Sequence, residues 1–232
     1  MRVRWFEVTG APISIGAIRT KLLKDEYRTN RSSGFRLEPG ARSEINGRFI
    51  ERIEYEAEVE DPFGRIEVQS RVEYRQLRFT ILESLPQIQV NSPPRSCKVF
   101  LNRLAEHLGD TAQIRVPVVS MEWWLSAVER QAPRVQVHLI EASNIRLSDN
   151  AHARVLVAGP EDVRRVQSNF VTGHSTVLER VGLSWAGGEA RCELSGEGRA
   201  LVEKGDLNSV ALVLRNALGA AARRQVRLPA SS

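Results

Sequence analysis

The chain holds little of what most protein chemistry is built from. It has two cysteines in 232 residues, Cys97 and Cys192. Two cannot make a disulfide framework, and no Cys-x-x-Cys pair is available for zinc or redox work. Each lies in an amphipathic pattern, which predicts two buried thiols in a reducing compartment and so a cytoplasmic protein. Lysine is almost as scarce, with four residues (Lys21, Lys24, Lys98, Lys204) against 29 arginines. No Gly-x-x-x-x-Gly-Lys-Ser/Thr run supports a phosphate-binding P-loop. No Gly-x-Ser-x-Gly elbow and no Gly-x-Gly-x-x-Gly turn after a strand is present, so hydrolase and dinucleotide-binding signatures are missing. The four histidines, His107, His138, His152 and His174, are scattered. None has a second His or a Cys at ligand spacing, so no metal and no cofactor is expected. No apolar run approaches the ~20 residues of a membrane span. The opening Met1-Arg2-Val3-Arg4-Trp5 lacks the apolar core of a secretory signal.

What is present describes an ordinary globular chain, 42% hydrophobic and 26% charged, long enough for a sizeable core. Its net charge of +5 is unevenly placed. Residues 1–48 carry ten basic and five acidic side chains, and residues 49–110 carry eight and eleven. The densest basic stretch is 28–48, with Arg28, Arg31, Arg36, Arg42 and Arg48. A second basic stretch closes the chain, where Arg215, Arg223, Arg224 and Arg227 follow the last acid, Asp206. Arginine's planar fork suits phosphate, carboxylate and protein interfaces.

Periodicity predicts an α+β fold of antiparallel sheets with amphipathic helices packed on one face. Residues 2–8 read as a strand. Trp5 and Phe6 alternate there, so one of them should face away from the core, and Arg2 and Arg4 share the side of Phe6. Ile15, Ile18 and Leu22 mark a helix. Residues 28–47 show no sustained period and read as a long loop with a short strand at Phe35–Leu37, and loops of that length are usually functional or disordered. From Phe49 to Glu60 apolar odd positions alternate with Arg52, Glu54, Glu56, Glu58 and Glu60, the pattern of a half-buried strand. Asp61-Pro62-Phe63-Gly64 is a turn. On the return strand the apolar phase slips from Ile66, Val68, Val72 and Tyr74 to Leu77, Phe79 and Ile81. A slip inside one strand predicts a bulge near Arg75 and Gln76.

Helices follow at about 95–108, with Ser96 at its start and Gly109 past its end, and after Ser120, with Trp124, Leu125 and Val128 on one face. Val135, Val137 and Leu139, then Ala151 to Val157, read as strands. A short helix follows Gly159-Pro160 through Val163, Val166 and Phe170. Strands at 176–185, 189–195 and 199–203 precede a last helix, capped by Asp206 and followed by Gly219, and a frayed tail from Ala220. Gly64–Gly109 and Thr176–Gly219 share the order strand, turn, strand, short strand, helix, glycine, which suggests an internal repeat. The expected organisation is one α+β unit over 1–112, a related one over 113–222, and a flexible basic tail over 223–232.

Candidate chemistry is thin. His174-Ser175-Thr176 is a single H-x-T where cyclic phosphodiesterases use two. Glu54, Glu56, Glu58 and Glu60 share one face, which a metal nuclease would want converging with a Lys in a pocket. The same row is the usual solubilising face of an open strand. Trp123 lies off its helix's main stripe and is a candidate for a protein partner or a stacked base.

The leading expectation is a non-enzymatic binding or assembly subunit that contacts nucleic-acid backbone through Arg28, Arg31, Arg36, Arg42 and Arg48, with Arg223, Arg224 and Arg227 second. The alternatives are a scaffold subunit with a protein or homo-oligomeric partner and no nucleic acid, or a metal-dependent hydrolase or nuclease.

Overall fold

The computed structural model describes residues 1–148, 151–166 and 176–227. They form one eleven-stranded sheet and the helices packed on it. In the first half β1 (Arg2–Thr9), α1 (Ile15–Lys24), β2 (Ser33–Leu37), β3 (Glu44–Glu60), β4 (Ile66–Leu82), β5 (Ile88–Asn91) and α2 (Lys98–Leu108) follow in order. The second half holds β6 (Gln113–Arg115), α3 (Met121–Glu129), β7 (Gln136–Ser148), β8 (Ala151–Ala158), β9 (Val177–Trp185), β10 (Ala190–Ser195), β11 (Arg199–Lys204) and α4 (Leu207–Arg227). The sheet runs β2-β3-β4-β5-β1-β11-β10-β9-β7-β8, with β6 paired to the end of β1. All of these pairs are antiparallel. Among the described residues no helix is long and apolar enough to cross a membrane.

β1 is the hinge of the architecture. Residues opposite each other in a ladder point to the same face. Arg4 and Phe6 lie opposite Val90 and Ile88 of β5, whereas Val3 lies opposite Ala200 of β11. Phe6, Val8, Val90 and Ile88 join Phe35, Phe79, Phe100 and Leu104 in one core, under α1 and α2. Val3 and Trp5 join Trp124, Val181, Leu194 and Leu214 in a second core, under α3 and α4. The two cores therefore lie on opposite faces of one sheet and meet at β1. Neither Trp5 nor Phe6 faces solvent, because each side of this strand has its own core. The expectation that one of them points outward assumed a sheet covered on one side only.

Local departures from the sequence pattern have physical causes. The supposed loop 28–47 contains β2 and the start of β3, which begins at Glu44. Its alternation is hidden because Gly47 takes a core-face position opposite Phe79, while Arg36, Asn46 and Arg48 lie on the other face. β3 and β4 stay paired from Glu44↔Leu82 to Glu60↔Ile66 without a register shift, so there is no bulge at Arg75 and Gln76. The phase changes because the strand leaves the core. Leu77, Phe79 and Ile81 are buried on one face, while Ile66, Val68, Val72 and Tyr74 sit on the other face of a projecting ribbon and are exposed. On β3 the glutamates Glu54, Glu56, Glu58 and Glu60 are exposed, Ala57 and Val59 are half-buried between them, and Tyr55 is exposed.

Helix ends follow capping chemistry. The Ser120 hydroxyl accepts the Trp123 N–H, and the Asp206 carboxylate accepts the Ser209 N–H at 3.0 Å. Gly219 does not end the last helix. A Cβ there would lie 2.1 Å from the Leu85 carbonyl oxygen, so glycine is what lets α4 rest on that loop, and the helix continues to Arg227 with Ala221 and Ala222 buried.

Candidate functional site

The change of covered face at β1 leaves a step in the molecule. α1 and α2 cover the face of β1 that carries Phe6, and beyond β1 the same face of β11, β10 and β9 has no helix on it, with the His138 ring packed over Gly182. The step is a cleft of about 580 Å³ walled by Pro93, Pro94 and Arg95, which lead into α2. Its floor carries Arg2, Arg4, Arg199 and Arg180, and Glu193 is the only carboxylate among the lining residues. The register explains the convergence. Arg4 lies opposite Arg199, Arg199 opposite Ser195, and Ser195 opposite Arg180. This row crosses four strands, roughly 14 Å at the usual strand spacing.

Like charges opposite each other destabilise a ladder unless something offsets them. Glu197, at the tip of the β10–β11 turn, lies 3.5 Å from Arg4 and 2.5 Å from Arg199. Arg4 lies over the Phe6 ring at 5.0 Å, a cation–π contact, and its Nε is buried without a hydrogen-bond partner. Burial, and then the neighbouring Arg199, pull its guanidinium below the ordinary arginine range, and Glu197 pushes the other way. Arg180 is held by Glu141 at 3.0 Å and Glu193 at 3.2 Å. Among the described residues Arg2 and Arg95 have no acid partner, and both are exposed. The cleft thus presents fixed guanidinium groups beside free ones.

The arginines of 28–48 do not converge. Arg28 and Arg42 are exposed in connecting segments. Arg31 is bound 3.0 Å from Asp25. Arg36, Arg48 and Arg78 stand in one lateral row across β2, β3 and β4, on the opposite sheet face from the cleft. Glu38 lies 3.4 Å from Arg48 in that row. Arg224 lies over the Trp123 ring at 5.6 Å, so two residues expected to contact partners contact each other, with Trp123 half-buried against the second core. Arg223 is exposed on α4, and the side chain of Arg227 lies outside the described residues.

A second polar cluster surrounds Asp25, which is 5% exposed. Arg103 grips its carboxylate through two bonds of 2.8 and 2.7 Å, and His107 Nε2 lies 2.9 Å away. Burial raises the carboxyl pKa, but the hydrogen bonds and charges of Arg103 and His107 outweigh it and leave Asp25 below the usual carboxylate range. His107 is accordingly not a solvated surface residue. Its place on α2 does not reveal this, because the partner that draws it inward is 82 residues away. His138 is 8% exposed and neither ring nitrogen has a partner. Burial, and then Arg191, depress its pKa. Both cysteines are buried free thiols, and burial pushes Cys192 up to about 12.

Among the described residues no group of three His, Cys, Asp or Glu side chains could hold a metal ion. Glu54, Glu56, Glu58 and Glu60 line the free ribbon, and His174 lies outside the described residues. The sequence pointed to part of the cleft by putting Arg2 and Arg4 on the side of Phe6. It missed Arg95, Arg180 and Arg199, which only the strand order brings near β1. No protein-family model matches the chain, and a search of curated proteins finds no match either.

Proposed function

We propose that the protein is a non-enzymatic binding subunit that holds nucleic-acid backbone in the arginine cleft beside β1. The observation that carries this reading is five guanidinium groups around a stretch of sheet that no helix covers, with Arg2 and Arg95 lacking an acid partner among the described residues. The row from Arg4 to Arg180 suits a chain of phosphates better than a single one. Among the described residues no aromatic side chain lines the cleft, so the reading uses no platform for stacked bases. Contacts of this kind fix the backbone without reading sequence.

Fluorescence anisotropy with labelled single-stranded RNA, single-stranded DNA and duplex DNA tests it. With three phosphates neutralised, affinity for a single strand should fall about twentyfold between about 50 and about 200 mM salt. The double variant Arg2→Gln/Arg95→Gln should weaken binding and flatten that slope. Arg28→Gln/Arg42→Gln should do neither, and a loss there instead would move the interface to the 28–48 segment. No binding of any of the three at micromolar protein would reject the reading and favour a scaffold subunit.

A further inference from the structure

The ribbon made by the outer parts of β3 and β4 is held to the body at its base, where the Arg52 N–H donates to the Ser32 carbonyl at 2.7 Å, and projects beyond it. β2 leaves β3 at Glu51, and β5 leaves β4 at Arg78. From there the ribbon extends nine residues to Glu60, about 30 Å at the usual rise. Every residue from Ile66 to Gln76 is exposed. The tip is firmly built. Asp61 Oδ1 accepts the N–H groups of Phe63 and Arg65, both at 2.8 Å, and Gly64 takes the left-handed φ of +80° that closes the turn. This turn holds Phe63 outward, 89% exposed. Along one ribbon face Ile66, Val68, Val72 and Tyr74 lie opposite Glu60, Glu58, Glu54 and Arg52.

Charge narrows the partner. Residues 52–74 hold seven acidic and three basic side chains, a net of −4, in a chain whose total is +5. Phosphate would be repelled. The ribbon needs a surface that is cationic and partly apolar, and the same molecule has one. The cleft has five arginines against their three acidic partners Glu141, Glu193 and Glu197, a net of +2, with Pro93, Pro94 and Leu201 as apolar lining. A ribbon cannot fold back into its own cleft without breaking the β3–β4 ladder that forms it.

We infer that the ribbon of one copy seats in the arginine cleft of a second copy. The Glu row meets Arg2, Arg95 and Arg199, and Phe63 with the β4 apolar row lies on the proline wall. Such a contact joins two different surfaces, so every pair leaves one ribbon and one cleft free, and association continues head to tail. The contact requires the cleft's charge and shape, not its occupancy by nucleic acid. Where both ligands are present they compete for the same arginines.

Light scattering coupled to size exclusion, on nuclease-treated protein free of nucleic acid, tests the contact. The expected mass rises above that of one chain as protein reaches about 100 µM in about 50 mM salt, and returns to one chain in about 500 mM salt. A ribbon variant, Glu54→Gln/Glu56→Gln/Glu58→Gln/Phe63→Ser, and a cleft variant, Arg2→Gln/Arg95→Gln/Arg199→Gln, should each stay single. Mixed, they should form a closed one-to-one complex, because one retains the cleft and the other the ribbon. Circular dichroism matching the parent protein shows that each variant is folded. A parent protein that is single at every concentration, a ribbon variant that associates as the parent does, or a mixture that forms no complex overturns the inference. Nucleic-acid binding by the ribbon variant reads the cleft separately, so failure of one reading leaves the other measurable.

Discussion

A histidine with both ring nitrogens buried and unpartnered favours its neutral form, because charging it would put a cation where nothing accepts its protons. His138 is in that position, and its folded pKa lies below the ordinary histidine value. The unfolded chain, with a pKa of about 6.5, binds more protons than the folded one just below that pH. The stability contribution is therefore complete above about pH 6.5 and is lost as pH falls from there toward the folded pKa. The melting temperature should drop between about pH 7.5 and about pH 5.5, and His138→Leu should reduce that drop. Equal slopes for the two proteins would show that His138 does not titrate as argued. Such a residue is invisible to periodicity, which marks His138 only as opposing an apolar strand face. Its burial comes from β9, where a Cβ added to Gly182 would lie 2.7 Å from the His138 ring. Arg31 is equally opaque to composition, which marks it as one of a basic run and does not show that Asp25 lies 3.0 Å away.

Among the elements, strands and helices are legible in the sequence wherever one face is apolar and the other polar. α2, α3, β9, β10 and β11 fall close to where their stripes and turns put them. The failures are places where an element serves two environments. β4 is core-bound over its last residues and free over its first, so its apolar phase changes without a bulge. α4 passes through Gly219, which read as a stop signal because glycine usually follows a helix. The structure gives that glycine a different task, and the difference can be measured. Gly→Ala inside a helix ordinarily stabilises by about 1 kcal/mol. Here the added methyl meets the Leu85 carbonyl oxygen at 2.1 Å. Gly219→Ala should instead destabilise, by about 2 kcal/mol as for an overpacked core site. Chemical denaturation reads the sign directly, and a more stable variant would mean that the 82–87 segment can yield.

For the whole molecule the decisive feature is one sheet serving two cores on opposite faces. The proposed cleft exists only because coverage changes sides at β1, so fold and candidate site have one origin. No single segment of sequence encodes that change. It follows from β5 and β11 taking the two edges of β1, pairings that join residues about 85 and almost 200 positions apart. The same arrangement predicts that the stabilities of the halves are coupled. Periodicity suggests related units over 1–112 and 113–222, and β1 gives Phe6 and Val8 to the first core and Val3 and Trp5 to the second. All four tryptophans, Trp5, Trp123, Trp124 and Trp185, belong to the second core or pack against it. Tryptophan emission therefore reports that core, while far-ultraviolet circular dichroism reports both. Phe100 is buried in the first core on α2, and its loss to alanine should cost about 4 kcal/mol. If β1 binds the halves into one cooperative unit, Phe100→Ala lowers the denaturant midpoint seen by tryptophan emission as far as the midpoint seen by circular dichroism. An unchanged emission midpoint beside a lowered first phase in circular dichroism would mean that the first half melts alone, with β1 remaining in the second core.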